Sequence, residues 1–148
     1  MVELGREKRQ SIRPLCEGNR EVLVRGAVEG TMGRVWVPGL DDAPFCFIVS
    51  GDFSYLLGIP PKGAVALDLK SQIYRSASRA FIYPEDGRWE QWLQEEFDGQ
   101  LRMVTRYALK KDEHHFDREG LKGYLKGVPH VIRIRRIDER LYHLAMKE

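Results

Sequence analysis

The sequence predicts an α+β fold: a single domain over residues 1–148, with a twisted, mixed, largely antiparallel sheet flanked by helices. Three observations predict it. Segments of period two alternate along the chain with segments of period 3.6. A turn-rich loop of hairpin length joins two apolar strands in the first half, whereas helical patterns separate the later strands, so hairpins and crossovers share one sheet. No repeat, low-complexity tract or Pro/Gly/Ser linker divides the chain, so one core is expected.

The elements follow in order. Glu7 to Leu15 reads as a short helix. Arg20 to Glu29, with Val22, Leu23, Val24, Ala27 and Val28, reads as a helix packed on one side. Gly30 can close it, because glycine takes the left-handed conformation of a helix C-terminus. Gly33 to Val37 and Phe45 to Ser50 are β-branched and aromatic, and residues 38–44, rich in Pro, Gly and Asp, make a hairpin between them. Pro60 to Ser76 reads as a helix through Val65, Leu69 and Ile73, although Ala64 to Leu69 also fits a buried strand. A strand follows at Ala80 to Tyr83.

Trp89, Trp92, Leu93 and Phe97 then share one face of a helix that Asp86 caps and Gly99 ends. Leu101 to Leu109 alternates apolar and polar residues, which predicts a strand. Asp117 caps a helix carrying Leu121, Tyr124 and Leu125, with Phe116 as a staple onto Leu121 and Gly127 and Pro129 as its end. Val131 to Ile137 reads as a last strand, and Asp138 caps a last helix with Leu141, Leu144 and Ala145.

Composition excludes several functions. The chain carries 24 Lys and Arg against 22 Asp and Glu, a net charge of +2, without the dominant positive field of a nucleic-acid binder. No apolar run approaches the ~20 residues of a membrane helix. Residues 1–13 are charged and lack the apolar stretch of a secretory signal, so a cytoplasmic protein is expected. The two cysteines, Cys16 and Cys46, make no disulfide framework and read as small buried apolar residues.

The chemistry-bearing clusters have plain structural readings. His114-His115 lacks the spacing of a metal site and reads as a solvated turn, so no metal is expected. Glu85, Asp86, Glu90, Glu95, Glu96 and Asp98 read as the wet side of an amphipathic helix rather than as an acid/base pair. Lys126, Arg133, Arg135 and Arg136 read as the exposed face of a strand. Arg34, Asp52 and Arg106 are the more informative polar residues. They are candidate substrate or interdomain contacts, together with the aromatic Trp36 and Tyr107. The plainer reading is an Arg–Asp ion pair bracing the sheet, with Trp36 and Tyr107 as core or interface aromatics.

Four spaced segments carry a family resemblance: residues Glu29 to Val37 (EGTMGRVWV), Gly51 to Gly58 (GDFSYLLG), Pro84 to Trp89 (PEDGRW) and Thr105 to Ala108 (TRYA). Together they resemble the N-terminal half of the GNAT-type acetyltransferases that include zwittermicin A resistance proteins. That resemblance implies a GNAT-like half fold, with acetyl-CoA donating an acetyl group to a small amine in the full-length family. It also implies that the acetyl-CoA-binding half begins near where this chain ends. The family's diphosphate loop, [Arg/Gln]-x-x-Gly-x-[Gly/Ala], has no match here: Arg25 to Gly30 and Arg118 to Gly123 place their glycines at other offsets. The expectation is a chain with no cofactor and no assignable catalytic residue of its own, inactive alone, partnered by a C-terminal GNAT domain or by a second copy. Two rival readings are a complete small enzyme with an unrecognised acyl-CoA or nucleotide site, and a small dimeric non-enzymatic interaction module.

Overall fold

The computed structural model describes residues 1–76, 81–107, 117–133 and 136–145. The chain divides into two units, Met1–Val104 and Thr105–Glu148.

The first unit is an α+β sandwich about one five-stranded sheet. Its strands are β1 (Val2–Glu3), β2 (Arg34–Val37), β3 (Phe45–Ser50), β4 (Phe53–Gly58) and β5 (Phe81–Pro84), and they lie in the sheet in that order. β1 to β4 pair antiparallel, and β5 joins β4 in parallel. The mixed, largely antiparallel sheet expected from the sequence is therefore present. A 3₁₀ segment (Arg6–Cys16) and helix α1 (Val22–Val28) connect β1 to β2. Helix α2 (Ala64–Ser76) makes the crossover from β4 to β5, as a parallel pair requires. Helix α3 (Gly87–Phe97) follows β5.

Alternation along the strands splits the apolar side chains into two cores. On one face Trp36, Phe45, Phe47 and Leu56 meet Leu69 and Ile73 of α2 and Trp89, Trp92, Leu93 and Phe97 of α3. On the other face Val35, Val37, Cys46, Ile48, Tyr55 and Leu57 meet Ile12 of the 3₁₀ segment and Val24, Ala27 and Val28 of α1. Complete burial of a large apolar side chain such as Phe47 or Leu56 contributes roughly 1.5–3 kcal/mol each, so these two layers dominate the unit's stability.

Caps behave as read. The Asp86 carboxylate accepts from the Arg88 and Trp89 amides at 2.9 and 3.3 Å and starts α3. Gly30, with φ +74°, closes α1 by donating its N–H to the Ala27 carbonyl. The ambiguous 60–76 segment is helical from Ala64 onward, because the Val65/Leu69/Ile73 spacing suits the face that α2 lays on the sheet; Leu69 and Ile73 are the buried ones.

Three readings need correction. The Glu7–Leu15 helix is a 3₁₀ segment with Pro14 inside it. Strands β1 and β4 lie outside the predicted element order. The expected strands at Leu101–Leu109 and Val131–Ile137 do not form over their described residues, 101–107, 131–133 and 136–137. Their apolar side chains, Met103, Val104, Val131 and Ile137 among them, are exposed. Alternation produces a strand only where a neighbour takes up the backbone hydrogen bonds and one face is covered.

In the second unit, α4 (Arg118–Lys126) starts at Asp117, whose carboxylate accepts from the Gly120 amide at 2.8 Å. Helix α5 (Glu139–Ala145) starts at Asp138, which accepts from Leu141 at 2.8 Å. Leu121, Tyr124 and Leu125 form the expected stripe on α4 and are exposed. The Phe116 staple and the His114-His115 turn lie outside the described residues. Among the described residues, no helix is long and apolar enough to cross a membrane.

Candidate functional site

The first unit holds a parallel strand pair, β4–β5, whose carboxyl end is where a βαβ crossover can present a helix N-terminus. A βαβ crossover brings the loop after its first strand to a helix N-terminus, where backbone N–H groups and the helix dipole face an incoming anion. Here β4, the loop 59–63 and the start of α2 make that arrangement, with Lys62 in the loop.

Several of its backbone groups are engaged within the chain. The Glu85 carboxylate Oε2 accepts the Gly58 N–H at 2.7 Å, seating a negative charge at the end of β4. The Glu85 amide in turn donates to the Leu56 carbonyl at 3.0 Å, which fixes this residue beside β4. The Ile59 N–H is taken by the Pro44 carbonyl at 2.9 Å, and Pro60 and Pro61 have no N–H to offer. The loop's carbonyls are held from beneath: Trp89 Nε1 donates to Gly58 O and Trp92 Nε1 donates to Pro61 O, both at 3.0 Å. The two indoles lie edge to face at 5.5 Å between ring centroids. A carboxylate, two prolines and two indoles thus meet at the loop between β4 and α2.

The sequence-predicted contacts fall in different places. Arg34, on β2, forms a two-point ion pair with Glu3 of β1, Nε to Oε1 at 2.9 Å and Nη2 to Oε2 at 2.5 Å. Its guanidinium carbon also lies 4.7 Å from the centre of the Trp36 ring. The hydrogen bond from Arg34 holds the Glu3 carboxyl below its usual range, and Glu3 raises Arg34 in return. The acid that partners Arg34 is thus Glu3 rather than an aspartate. Trp36 is buried in the α2/α3-side core. Asp52 lies exposed in the β3–β4 turn, where its carbonyl accepts the Phe81 N–H at 2.8 Å and anchors β5. Arg106 and Tyr107 belong to the second unit, and Tyr107 is 82% exposed. Within the first unit the structure brings Arg34 and Trp36 together.

Several residues were missed from the sequence. Glu85 is exposed, as the acidic face implies, and it also accepts a backbone amide, which the sequence does not signal. Trp89 and Trp92 were read as core alone, yet each indole N–H holds a loop carbonyl. Two adjacent prolines before a helix, followed by paired tryptophans on the next helix, were the available signal. Among the described residues, no group of three or more His, Cys, Asp and Glu is placed to hold a metal ion.

Comparison with known proteins places this geometry in a family. The sequence profile described as GNAT acetyltransferase matches residues 13–148. The comparison with curated proteins returned no match. Among solved structures, the chain is similar to a GCN5-related N-acetyltransferase-like protein from Streptococcus suis 89/1591, with a TM-score of 0.66 and 26% identity. That similarity covers 97% of this chain and 56% of the other, so the chain spans little more than half of that protein's length. With a matching profile over most of its residues and a GNAT-like sheet flanked by helices, the chain belongs to the GNAT acetyltransferase family.

Proposed function

We propose that this chain is a scaffold half of a GNAT acetyltransferase, one that supports the acetyl-transferring part of a longer protein and does not itself hold acetyl-CoA. The single observation that carries this reading is the Glu85 carboxylate bonded to the Gly58 amide at the mouth of the β4–β5 crossover. A diphosphate brought there would meet a like charge, with the Gly58 and Ile59 amides already taken and no N–H at Pro60 and Pro61. Pro60 and Pro61 support the same reading by removing two amides, and the Trp89 and Trp92 indoles by fixing two of the loop's carbonyls. No catalytic residue is assigned to this half. The four spaced motifs favour placement beside the zwittermicin A resistance proteins, with a small amine as acetyl acceptor of the whole protein and a cytoplasmic site of action.

The test is amide NMR of the chain during addition of coenzyme A. Unchanged signals for Gly58, Lys62 and Gly63 up to millimolar ligand are expected. Saturable shifts confined to those residues would contradict the proposal.

A second reading is self-association as a binding module, and one observation favours it. β5 is the last strand of the sheet among the described residues, and its Phe81 is 53% exposed. An edge strand with an exposed aromatic invites pairing with another strand.

A further inference from the structure

The residues that read as inert apolar fillers in the sequence lie together. Cys16 is the last residue of the 3₁₀ segment, and Cys46 is the second residue of β3 on the face that this segment covers. Cys46 is 0% exposed and belongs to the core there, and Cys16 packs against that same core. The residues just before each cysteine also converge. A Cβ built on Gly58 would lie 3.2 Å from Leu15 Cδ2 and 2.9 Å from Phe45 Cα. Both cysteines are free thiols at the same core, and each shifts the titration of the other.

Their access to solvent differs. Cys16 is half-buried and lines a groove of about 720 Å³ between the 3₁₀ segment and α1, with Arg13, Glu17, Val24 and Arg25. Cys46 has no exposed surface. We propose that Cys16 and Cys46 form a thiol–disulfide site, with Cys16 as the attacking thiol and Cys46 as the resolving one, oxidised by small disulfides of the glutathione type.

The electrostatics agree with that division of roles. Interaction with the Cys46 side chain holds the Cys16 thiol below the usual range against the opposing effects of burial and of the Glu85 carboxylate. The same interaction, with burial, pushes the Cys46 thiol well up, so Cys16 is the sulfur that ionises first. The reaction is two exchanges. The Cys16 thiolate attacks one sulfur of the small disulfide, whose S–S bond breaks and releases one thiol, which takes up the proton that Cys16 gave up. Cys46 then loses its proton and attacks Cys16 Sγ, which expels the second small thiol. The two protein thiols give up two electrons and two protons, and one small disulfide becomes two thiols. The product ties the end of the 3₁₀ segment to the centre of the sheet.

The test equilibrates the full chain in graded mixtures of oxidised and reduced glutathione, quenches with acid, alkylates, and reads intact mass and peptide maps. The expected result is one two-electron transition in which both alkylatable thiols disappear together, giving a Cys16–Cys46 peptide pair within a monomer. Cys46→Ala should accumulate glutathione on Cys16, and Cys16→Ala should leave Cys46 unmodified while the chain is folded. A wild-type chain that stops at a Cys16–glutathione adduct, or that keeps both thiols in oxidised glutathione, would overturn the proposal. That wild-type readout decides the matter even if Cys46→Ala fails to fold.

Discussion

Arg9 is a charged side chain only 5% exposed, and its guanidinium is directed at backbone carbonyls. It donates to Met32 O at 3.0 Å and to Leu4 O and Ala27 O at 3.4 Å, joining the chain after β1, the end of α1 and the entry to β2. Nothing in its charged 3₁₀ segment marks it out from Arg6 or Arg13 in the sequence; only the tertiary placement of three carbonyls does. Removing it takes the guanidinium donor from the Met32 and Leu4 carbonyls, so Arg9→Ala should cost about 2–3 kcal/mol in urea unfolding, and Arg9→Lys should restore only part. A loss under about 0.5 kcal/mol would show that water replaces the guanidinium. Asp86 makes a pH-dependent prediction at the same scale. Hydrogen bonding to Arg88, then to the Trp89 and Arg88 amides, lowers its carboxyl below the ordinary value. A lowered folded-state value means that its stabilising effect is complete above the unfolded-state pKa of about 3.9 and is lost as pH falls through the lower folded value. The stability gap between wild type and Asp86→Ala should therefore be present at pH 7 and shrink on acidification below about pH 4, as read by urea unfolding at each pH. A gap that stays constant would assign the effect to the α3 backbone rather than to the carboxylate.

At the scale of elements, the end of β4 is the tightest point of the sheet. Gly58 has φ +94°, and a Cβ there would meet Pro44 O at 2.4 Å, so both conformation and space require glycine. Gly39, in the β2–β3 loop, has nothing within 4 Å of its notional Cβ. Gly58→Ala should destabilise by about 1–3 kcal/mol, whereas Gly39→Ala should stay within about 0.5 kcal/mol of wild type in the same denaturant titration. Equal effects would remove the special role given to the β4 terminus. What the sequence made legible at this scale was local chemistry. Asp86, Asp117 and Asp138 each cap the helix expected of them, because a carboxylate three residues before a helical amide acts without help from the rest of the fold. β3 was legible from its unbroken apolar run. β4 was not, because Gly51-Asp52 and Gly58 bracket a mixed segment whose strand character depends on lying between β3 and β5. The 101–109 and 131–137 patterns misled for the complementary reason: alternation was present, but over the described residues no pairing partner accompanies it.

For the whole molecule, the sequence carried the family and the α+β class further than it carried the site. The crossover from β4 through α2 to β5 becomes a place for chemistry only in three dimensions, where Glu85, two prolines and two indoles converge from separate segments. Sequence spacing could report the missing glycine pattern and nothing of what stands in its place. The open β5 edge leads to a concentration-dependent prediction: sedimentation equilibrium of the isolated chain should show dimer at high concentration, reduced by Phe81→Lys, which blunts the edge. A monomer at all concentrations would leave the β5 edge without that role. The central claim is the proposal of a scaffold half whose β4–β5 mouth does not take the family's cofactor. Isothermal titration of the isolated chain with acetyl-CoA tests it most directly. The account predicts no saturable heat with ligand in the micromolar range, in wild type and in Glu85→Gln alike. Saturable micromolar binding by the wild-type chain would contradict it.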